Sequence, residues 1–349
     1  MARNLTVDLY SDTQTRPSPA MRAAMAGAEV GDEQRDEDPT VLELCHMVAD
    51  LLGKEAALFL PSGTMCNEIA YRTHTSPGDE IILHAWSHAM HFETGAPAAL
   101  SGVMLRTVDG ARGMFGADQV RGAIRYVGNH QQRSRLVSVE NTTNLGGGAV
   151  WNLDDLAAVT AAAHAAGLAT HMDGARLMNA VVASGQPASA FARGFDSVWI
   201  DMTKGLGAPV GAVLAGSAAF IAEARRHKHQ FGGAMRQAGI IAAGGVYALR
   251  HNVERLAEDH DNARRLAEGI SEVPGVDVDL SGVETNMVYF DVDVEAERLS
   301  EALLEHGVRI GPMGPNRLRA VTHLDVDANG IATAVSAVGE AMRSLRTGD

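Results

Sequence analysis

Residues 153–172 read LDDLAAVTAAAHAAGLATHM, a stretch in which a helical pattern gives way to a strand pattern. Apolar residues recur at helical spacing from Leu153 to Ala166, and Gly167 then supplies the left-handed conformation that is common just after a helix. The short apolar run from Leu168 to Met172 predicts a buried strand. A helix followed so closely by a strand is typical of an α/β fold.

The same alternation of short strands and alanine-rich helical stretches extends from Leu51 to Val213. It predicts a large domain built on a mainly parallel, seven-stranded sheet that is covered by helices. The candidate strands are 57–60, 80–83, 103–107, 136–139, 168–172, 197–201 and 210–214.

The pattern changes after Pro274, where shorter strands and helices alternate and predict a small α+β C-terminal domain. Before it, Met235 to Ile270 is expected to form one long helix that bridges two domains. We therefore expect a large domain over residues 1–254, including the N-terminal segment, and a small domain over 255–349. The small domain should contain strands at 286–290 and 318–321 and helices at 296–306 and 328–343.

Composition narrows the class of protein. The 29 basic and 43 acidic residues give a net charge of -14, which opposes binding to nucleic acid or anionic lipid. The start of the chain lacks the apolar core of a signal peptide, and no run is long enough to cross a bilayer, so we expect a cytoplasmic protein. Cys45 and Cys66 make neither a disulfide framework nor a zinc motif, and no metal is expected.

The most informative segment for chemistry runs from Asp201 to Gly211, where a predicted strand delivers Lys204 to a glycine-rich turn. A lysine in a buried site can lose its charge and attack an aldehyde cofactor, and glycines let the backbone approach a planar ring. Taken alone, Lys204 would more often be a surface residue in a loop.

A second signal is Asp173, which ends the apolar strand that begins at Leu168. Open α/β sheets bind ligands beyond the carboxyl ends of their strands. An ionised carboxylate there would keep a cofactor's ring nitrogen protonated, which makes the ring an electron sink. The alternative is a turn in which Asp173 and Arg176 form a surface ion pair.

A third signal is a strand followed by a glycine turn and a helix start, at residues 58–67. Backbone N–H groups and the helix dipole favour an anion such as phosphate at this position. An ordinary helix cap is the alternative. The residues concerned are Ser62, Gly63 and Thr64.

Three histidines, His84, His88 and His91, follow a predicted strand at spacings that could suit a metal site on a helix. His84 and Trp86 fit a strand-to-loop junction better than a helix. We therefore favour a stacking or acid/base role for His88 and a surface or packing role for His91.

The order of these motifs resembles that of the L-threonine aldolases, which are fold-type I enzymes dependent on pyridoxal 5′-phosphate, over essentially the whole chain. This resemblance implies the transferase-like fold of those enzymes and the same cofactor. The matching stretches are 11–17, 30–32, 38–40, 53–57, 61–64, 140–142, 173–176, 204–207, 232–237 and 319–324.

The resemblance also implies roles for the matching residues at the cofactor. Lys204 would hold it as a Schiff base, Asp173 would contact the ring nitrogen, and His88 would stack on the ring. Gly63 and Thr64 would hold the phosphate, and Ser62 remains a candidate from the helix-start pattern.

On the substrate side, Ser11, Arg176 and Arg319 match positions that grip a carboxylate, a task suited to the planar guanidinium. Arg236 matches an arginine near the phosphate that is often contributed across a subunit interface. His130 matches a second active-site histidine near the substrate hydroxyl. A homotetramer, built as a dimer of dimers, is also implied.

Three departures from the family pattern stand out. Residues 34–36 read Gln-Arg-Asp where the family usually has Val-Tyr-Gly, Thr143 replaces a histidine, and Thr203 replaces a serine before the lysine. The first of these removes an aromatic residue that lines the site.

The expected reaction is retro-aldol cleavage of threonine, allo-threonine or a related β-hydroxy-α-amino acid to glycine and an aldehyde. His88 or His130 would take the proton of the β-hydroxyl group. The same residues would also suit β-elimination, transamination or racemisation, because the cofactor permits all of these reactions. A catalytically silent scaffold that binds the cofactor is a further alternative.

Overall fold

The computed structural model describes residues 5–347 of the chain. The strands are β1 (Val7–Asp8), β2 (Ala56–Leu60), β3 (Glu80–His84), β4 (Met104–Val108), β5 (Ser134–Glu140), β6 (Ala169–Gly174), β7 (Ser197–Asp201), β8 (Ala212–Gly216), β9 (Val276–Asp277), β10 (Met287–Val292), β11 (Val308–Arg309), β12 (Gly311–Pro312) and β13 (Arg317–Val321). The α-helices are α1 (Pro19–Ala26), α2 (Pro39–Leu52), α3 (Gly63–His74), α4 (His88–His91), α5 (Ala117–Ala123), α6 (Leu153–Ala165), α7 (Leu177–Ser184), α8 (Ala188–Ala192), α9 (Ala218–Gln230), α10 (Gly239–His251), α11 (Leu256–Ser271), α12 (Ala296–Glu305) and α13 (Ala328–Thr347).

The larger unit, residues 17–253, contains a seven-stranded sheet in the order β2-β8-β7-β6-β5-β3-β4. Its strands are parallel except for β8, which runs antiparallel to both of its neighbours. Strands β7 and β8 are buried along their whole length, as expected where helices cover both faces. The prediction of a mainly parallel, seven-stranded sheet is confirmed.

Local sequence explains where the helix before β6 starts and stops. The side chain of Asn152 accepts a hydrogen bond from the backbone of Asp154 and caps α6. Gly167 then adopts a φ of 72°, in the left-handed region, as its position predicts. The chain enters β6 directly, which brings Asp173 to the carboxyl end of that strand.

The long helix predicted from Met235 to Ile270 is wrong, because the structure has two helices there, α10 and α11. The interruption follows His251, where the side chain of Asn252 donates a hydrogen bond of 2.7 Å to the carbonyl of Leu206 instead of facing solvent. The chain leaves the larger unit at this point, between Val253 and Glu254.

The smaller unit combines residue 254 onward with the described residues up to Arg16. Its four-stranded sheet has the order β12-β13-β10-β9, and β1 pairs in parallel with β11. Its apolar core includes Leu266, Phe290 and Leu318. The predicted domain division placed the N-terminal segment with the large domain, but β1 groups with the smaller unit because it pairs with β11.

Among residues 5–347, no helix is both long and apolar enough to cross a membrane.

Candidate active site

Lys204 lies in the turn after β7, where its Nζ donates a hydrogen bond of 2.8 Å to Oδ2 of Asp201. The Nζ atom is also 5.8 Å from the ring centroid of Trp199, within the range of a cation–π contact. Thr203 donates to the other oxygen of Asp201 through both its backbone N–H and its hydroxyl, each at 2.7 Å. The hydroxyl that Thr203 shares with serine therefore orients the carboxylate that holds the lysine.

The sequence contains only three lysines, and the other two have different surroundings. Lys54 donates to the carbonyls of Ala192 and Phe195. Lys228 is 1% exposed and pairs with Glu33. Of the three, Lys204 is the one that follows the carboxyl end of a central parallel strand.

Asp173 lies on β6, directly beside β7, and its Cα pairs with that of Trp199. Its carboxylate accepts hydrogen bonds from the backbone N–H of Ala175 at 3.0 Å and from Nδ2 of Asn67 at 2.9 Å. Burial raises the pKa of Asp173, against the charge of His88, the Asn67 hydrogen bond and the charge of Lys204. A cationic group placed against this carboxylate would offset the cost of its burial.

His88 begins the short helix α4, and its backbone N–H donates to Oε2 of Glu140 at 2.8 Å. Its ring Nδ1 lies 2.8 Å from Oε1 of Glu93. Burial lowers the pKa of His88, but the hydrogen bond to Glu93 and the charges of Asp173, Glu93 and Glu140 outweigh burial and raise that pKa above its usual value. His88 therefore lies in the same electrostatic cluster as Asp173.

The other two histidines of the sequence motif lie elsewhere. His84 ends strand β3, as expected for a strand-to-loop residue, and its Nε2 lies 3.2 Å from the carbonyl of Gly110. His91 is exposed, and its Nε2 lies 2.8 Å from the carbonyl of Ala85. Neither histidine makes a contact with the described residues that suggests chemistry.

The predicted phosphate turn starts α3. Ser62 caps the helix by accepting a hydrogen bond from the backbone N–H of Met65, and Gly63 and Thr64 form the first helical positions. A β-carbon on Gly63 would lie 2.3 Å from Cη2 of Trp199, so only glycine fits at this position. The ordinary helix cap is thus present and uses the N–H of Met65, and it leaves the backbone N–H groups of Gly63 and Thr64 to an anion.

The predicted carboxylate-binding residues fall into both units of the chain. In the larger unit, Arg176 is 6% exposed and precedes α7. In the smaller unit, Ser11 is buried and caps the turn that follows it, and Arg319 lies on β13 with Nη2 3.4 Å from the carbonyl of Tyr10. Within the smaller unit, Arg319 therefore contacts Tyr10, the residue just before Ser11.

The structure does not bring two other predicted residues to this cluster. His130 is exposed on a turn that precedes the amino end of β5, whereas Glu140 lies at the carboxyl end of the same strand. A strand of this length separates the two ends by roughly 20 Å. Arg236 is also exposed, and its Nη1 donates to Asp32 at 3.0 Å.

The residues that depart from the family pattern lie in two different environments. Residues Glu33–Arg35 form a short 3-10 helix in which Arg35 is exposed and lies 3.9 Å from Asp32. Thr143 is buried and packs against Gly113. A β-carbon added to that glycine would lie 3.0 Å from Cβ of Thr143.

Three side chains that sequence reasoning did not single out complete the cluster. Asn67 donates to both Glu93 and Asp173 and accepts from Nε1 of Trp199 at 2.7 Å. Glu93 holds His88, and Glu140 accepts from the backbone of His88 and of Asn144. Asn67 carries a usable signal, since it lies three residues after Thr64 and so shares one face of α3 with it.

Residues 8–293 match the family model described as beta-eliminating lyase. The chain belongs to this family. It is 41% identical over 326 residues to a probable low-specificity L-threonine aldolase 2 of Arabidopsis thaliana, covering 91% of this chain and 92% of the relative. It is 42% identical over 328 residues to the low specificity L-threonine aldolase of Escherichia coli K12, covering 93% and 96%. The resemblance drawn from the motifs is confirmed.

The fold of this family member is also found in solved structures. A putative L-allo-threonine aldolase from Listeria monocytogenes matches with a TM-score of 0.80 and 20% identity, over 97% of both chains. At that identity the match supports the fold alone, and it confirms the transferase-like fold that the motifs implied.

The residues present fit pyridoxal 5′-phosphate. Three features lie on or next to neighbouring elements: the amine of Lys204 just after β7, the buried carboxylate of Asp173 on β6, and the start of α3 at Gly63, where only glycine fits. Lys204 would bind the aldehyde carbon, Asp173 would face the ring nitrogen, and the first turn of α3 would bind the phosphate.

Proposed function

We propose that this protein cleaves L-threonine, L-allo-threonine and related β-hydroxy-α-amino acids to glycine and an aldehyde, using pyridoxal 5′-phosphate held by Lys204. One observation carries the proposal: Lys204, Asp173 and the His88–Glu93 pair occupy neighbouring elements of one unit. When bound, the cofactor supplies an electron sink for the bond that breaks at the α-carbon of the substrate.

The residues of this chain would divide the remaining work. Asp173 stabilises positive charge at the ring nitrogen, because it is a buried carboxylate whose own charge needs a partner. Arg176, in the same unit as Lys204, would hold the substrate carboxylate and so fix which bond at the α-carbon is aligned for cleavage. The carboxylate-binding roles of Ser11 and Arg319 remain predictions. This bond choice is what separates an aldolase from the other reactions that the cofactor permits.

His88 is the proposed proton acceptor. Its Nδ1 faces Glu93, so in the neutral ring with a proton on Nδ1 the lone pair of Nε2 is available for the β-hydroxyl proton of the substrate. His130 is left out of the proposal because it lies at the other end of β5. The fixed tautomer follows from the carboxylate, in the way that a buried acid orients a catalytic imidazole in other enzymes.

The test is product analysis. Cofactor-loaded protein is incubated separately with L-threonine and with phenylserine, and glycine and the aldehyde are quantified. Equal amounts of glycine and aldehyde support the proposal, because only retro-aldol cleavage releases glycine. A 2-oxo acid with ammonia, a 2-oxo acid alone, or a change in substrate chirality would refute it in favour of β-elimination, transamination or racemisation. Lys204→Ala is the control that should release neither product.

We also propose that the protein works in the cytoplasm as a homotetramer, a dimer of dimers in which Arg236 reaches the phosphate of a neighbouring subunit. The exposure of Arg236 within its own chain is consistent with this role. Co-folding inactive Lys204→Ala subunits with Arg236→Ala subunits should restore activity, since some sites then receive both native residues. Light scattering measures the assembly directly, and a monomer of full activity would contradict the proposal.

A further inference from the structure

Beside Glu93, the partner of His88, lies a second carboxyl group, that of Glu68. It projects from α3, is 1% exposed, and approaches the carboxyl group of Glu93 closely enough for a hydrogen bond between them. Within the described part of the chain, no N–H or O–H group donates to either side-chain oxygen of Glu68 or to Oε2 of Glu93. Three buried carboxyl oxygens, two on Glu68 and one on Glu93, therefore lack a donor among the described residues.

A proton between the two groups resolves this arrangement. Two ionised carboxylates only accept hydrogen bonds, so they repel when they are buried side by side. One retained proton turns the repulsion into an O–H···O⁻ hydrogen bond, which is among the strong ones in proteins. The shared proton gives a partner to two of the three oxygens, one on each residue.

The surroundings decide which residue keeps the proton. Oε1 of Glu93 accepts from Nδ2 of Asn67 and faces Nδ1 of His88, each at 2.8 Å, so Glu93 already has two groups that can donate to a carboxylate. Glu68 has no such donor among the described residues. Burial, the charge of Glu93 and the hydrogen bond with Glu93 together raise the pKa of Glu68 to about 9.

We infer that Glu68 stays a neutral carboxylic acid near pH 7, donates its proton to Oε2 of Glu93, and thereby fixes Glu93 against Nδ1 of His88. Glu68 is a positioning residue, because it acts on the histidine only through Glu93. The effect of Glu68 on catalysis rests on the proposed function of His88. The protonation of Glu68 and its effect on the position and titration of His88 do not depend on that function.

Other titratable groups also face this pair and His88. Asp173 approaches from β6 and Glu140 from β5, and Tyr71 and Cys66 lie on α3 with Glu68. Burial, then the charge of Asp173, raise the pKa of Glu140 to about 7, so that residue also titrates near neutral pH. A test must therefore isolate Glu68 from these neighbours.

Difference infrared spectroscopy makes that separation. Wild type minus Glu68→Gln at pH 7 should show the loss of one protonated-acid carbonyl band, shifted by deuterium exchange. Glu272→Gln, at an exposed position, is the matched control and should remove only carboxylate bands. Loss of carboxylate bands alone in Glu68→Gln would show an ionised Glu68 and overturn the inference.

The effect on His88 is read by NMR of protein with ¹⁵N-labelled histidine, assigned with His88→Gln. Glu68→Gln keeps a neutral donor and should leave the His88 titration near that of the wild type. Glu68→Leu removes the donor that holds Glu93 in place, which weakens the contact between Glu93 and Nδ1 of His88 and should shift the His88 titration to lower pH. An unshifted titration in folded Glu68→Leu would overturn the positioning role, and the infrared result decides the protonation if that variant does not fold.

These readouts also separate two kinds of failure. If the infrared and NMR results are as expected but wild type releases no glycine from threonine, the proposed reaction is wrong and the inference about Glu68 stands. If threonine is cleaved but Glu68 is ionised, the inference is wrong and the reaction stands. In an active enzyme, kcat should be retained in Glu68→Gln and reduced in Glu68→Leu.

Discussion

Gly63 provides the sharpest mutational test of the site, because the structure defines the space that a methyl group would occupy. A β-carbon at this position would lie 2.3 Å from Cη2 and 2.6 Å from Cζ3 of Trp199. The indole is 2% exposed, and its Nε1 donates to Oδ1 of Asn67 at 2.7 Å, so it has little freedom to move. Gly63→Ala must therefore displace either the ring or the first turn of α3.

The expected cost follows from two effects. Overpacking a buried site costs about 1–3 kcal/mol. Losing the hydrogen bond from Trp199 to Asn67 adds about 0.5–1.5 kcal/mol. A loss of 1 kcal/mol lowers the melting temperature of a domain of this size by about 2–4 °C. Because Asn67 also donates to Asp173, the variant should bind the cofactor more weakly, by about tenfold for each 1.4 kcal/mol lost at the site.

Calorimetry and absorbance titration with the cofactor measure the two effects. Gly122→Ala is the matched control, since a β-carbon at this exposed helical position would have no atom of residues 5–347 within 4 Å beyond its own chain neighbours and helix backbone. It should leave stability unchanged or raise it by up to about 1 kcal/mol. A Gly63→Ala protein with the melting temperature and cofactor affinity of the wild type would refute the packing argument.

Three further changes test the surroundings of the site. Asp173→Asn should weaken cofactor binding by about tenfold to a hundredfold, because it removes one charged hydrogen bond that contributes about 1.5–3 kcal/mol. Cofactor titration measures this, and an unchanged affinity would exclude a contact between Asp173 and the ring nitrogen. Glu93→Gln should lower the pKa of His88, which is raised in the folded wild type. The difference in unfolding free energy between the two proteins should therefore be largest below about pH 6.5 and should shrink as the pH rises through the pKa of His88 in the folded wild type. Urea unfolding at several pH values measures this difference, and a difference that grows with pH would contradict the prediction. Lys228→Met leaves Glu33 buried without its lysine partner and should lower the free energy of unfolding in urea by about 3–5 kcal/mol, whereas the double variant with Glu33→Leu should recover most of that loss. Equal losses of stability in the single and double variants would rule out the buried ion pair as the cause.

The sequence predicts the sheet well because its strands are short apolar runs between recognisable helix ends. Gly167 marks one such end, and the strand after it carries Asp173 to the expected edge of the sheet. The break between α10 and α11 has no glycine or proline to signal it. It depends on a side-chain contact from Asn252 to Leu206, 46 positions away in the sequence, and periodicity does not reveal such contacts.

For the site, motif order predicts the residues that would touch the cofactor but not those that hold them in place. Lys204 and Asp173 are found from their position at strand ends. Glu93 and Glu68 are not, since each is an ordinary charged residue until folding buries it beside the other. The role of His130 stays a prediction, and within its own chain this histidine lies before the amino end of β5, away from Glu140 at the carboxyl end.

The central claim is that Lys204 holds the cofactor, and the small number of lysines makes it directly testable. Cofactor-loaded protein is reduced with borohydride, digested and mapped by mass spectrometry. The adduct should appear on Lys204, with Lys54 and Lys228 unmodified in the same digest and no adduct in Lys204→Ala. An adduct on Lys54 or Lys228, or no adduct in the loaded wild type, would contradict the account.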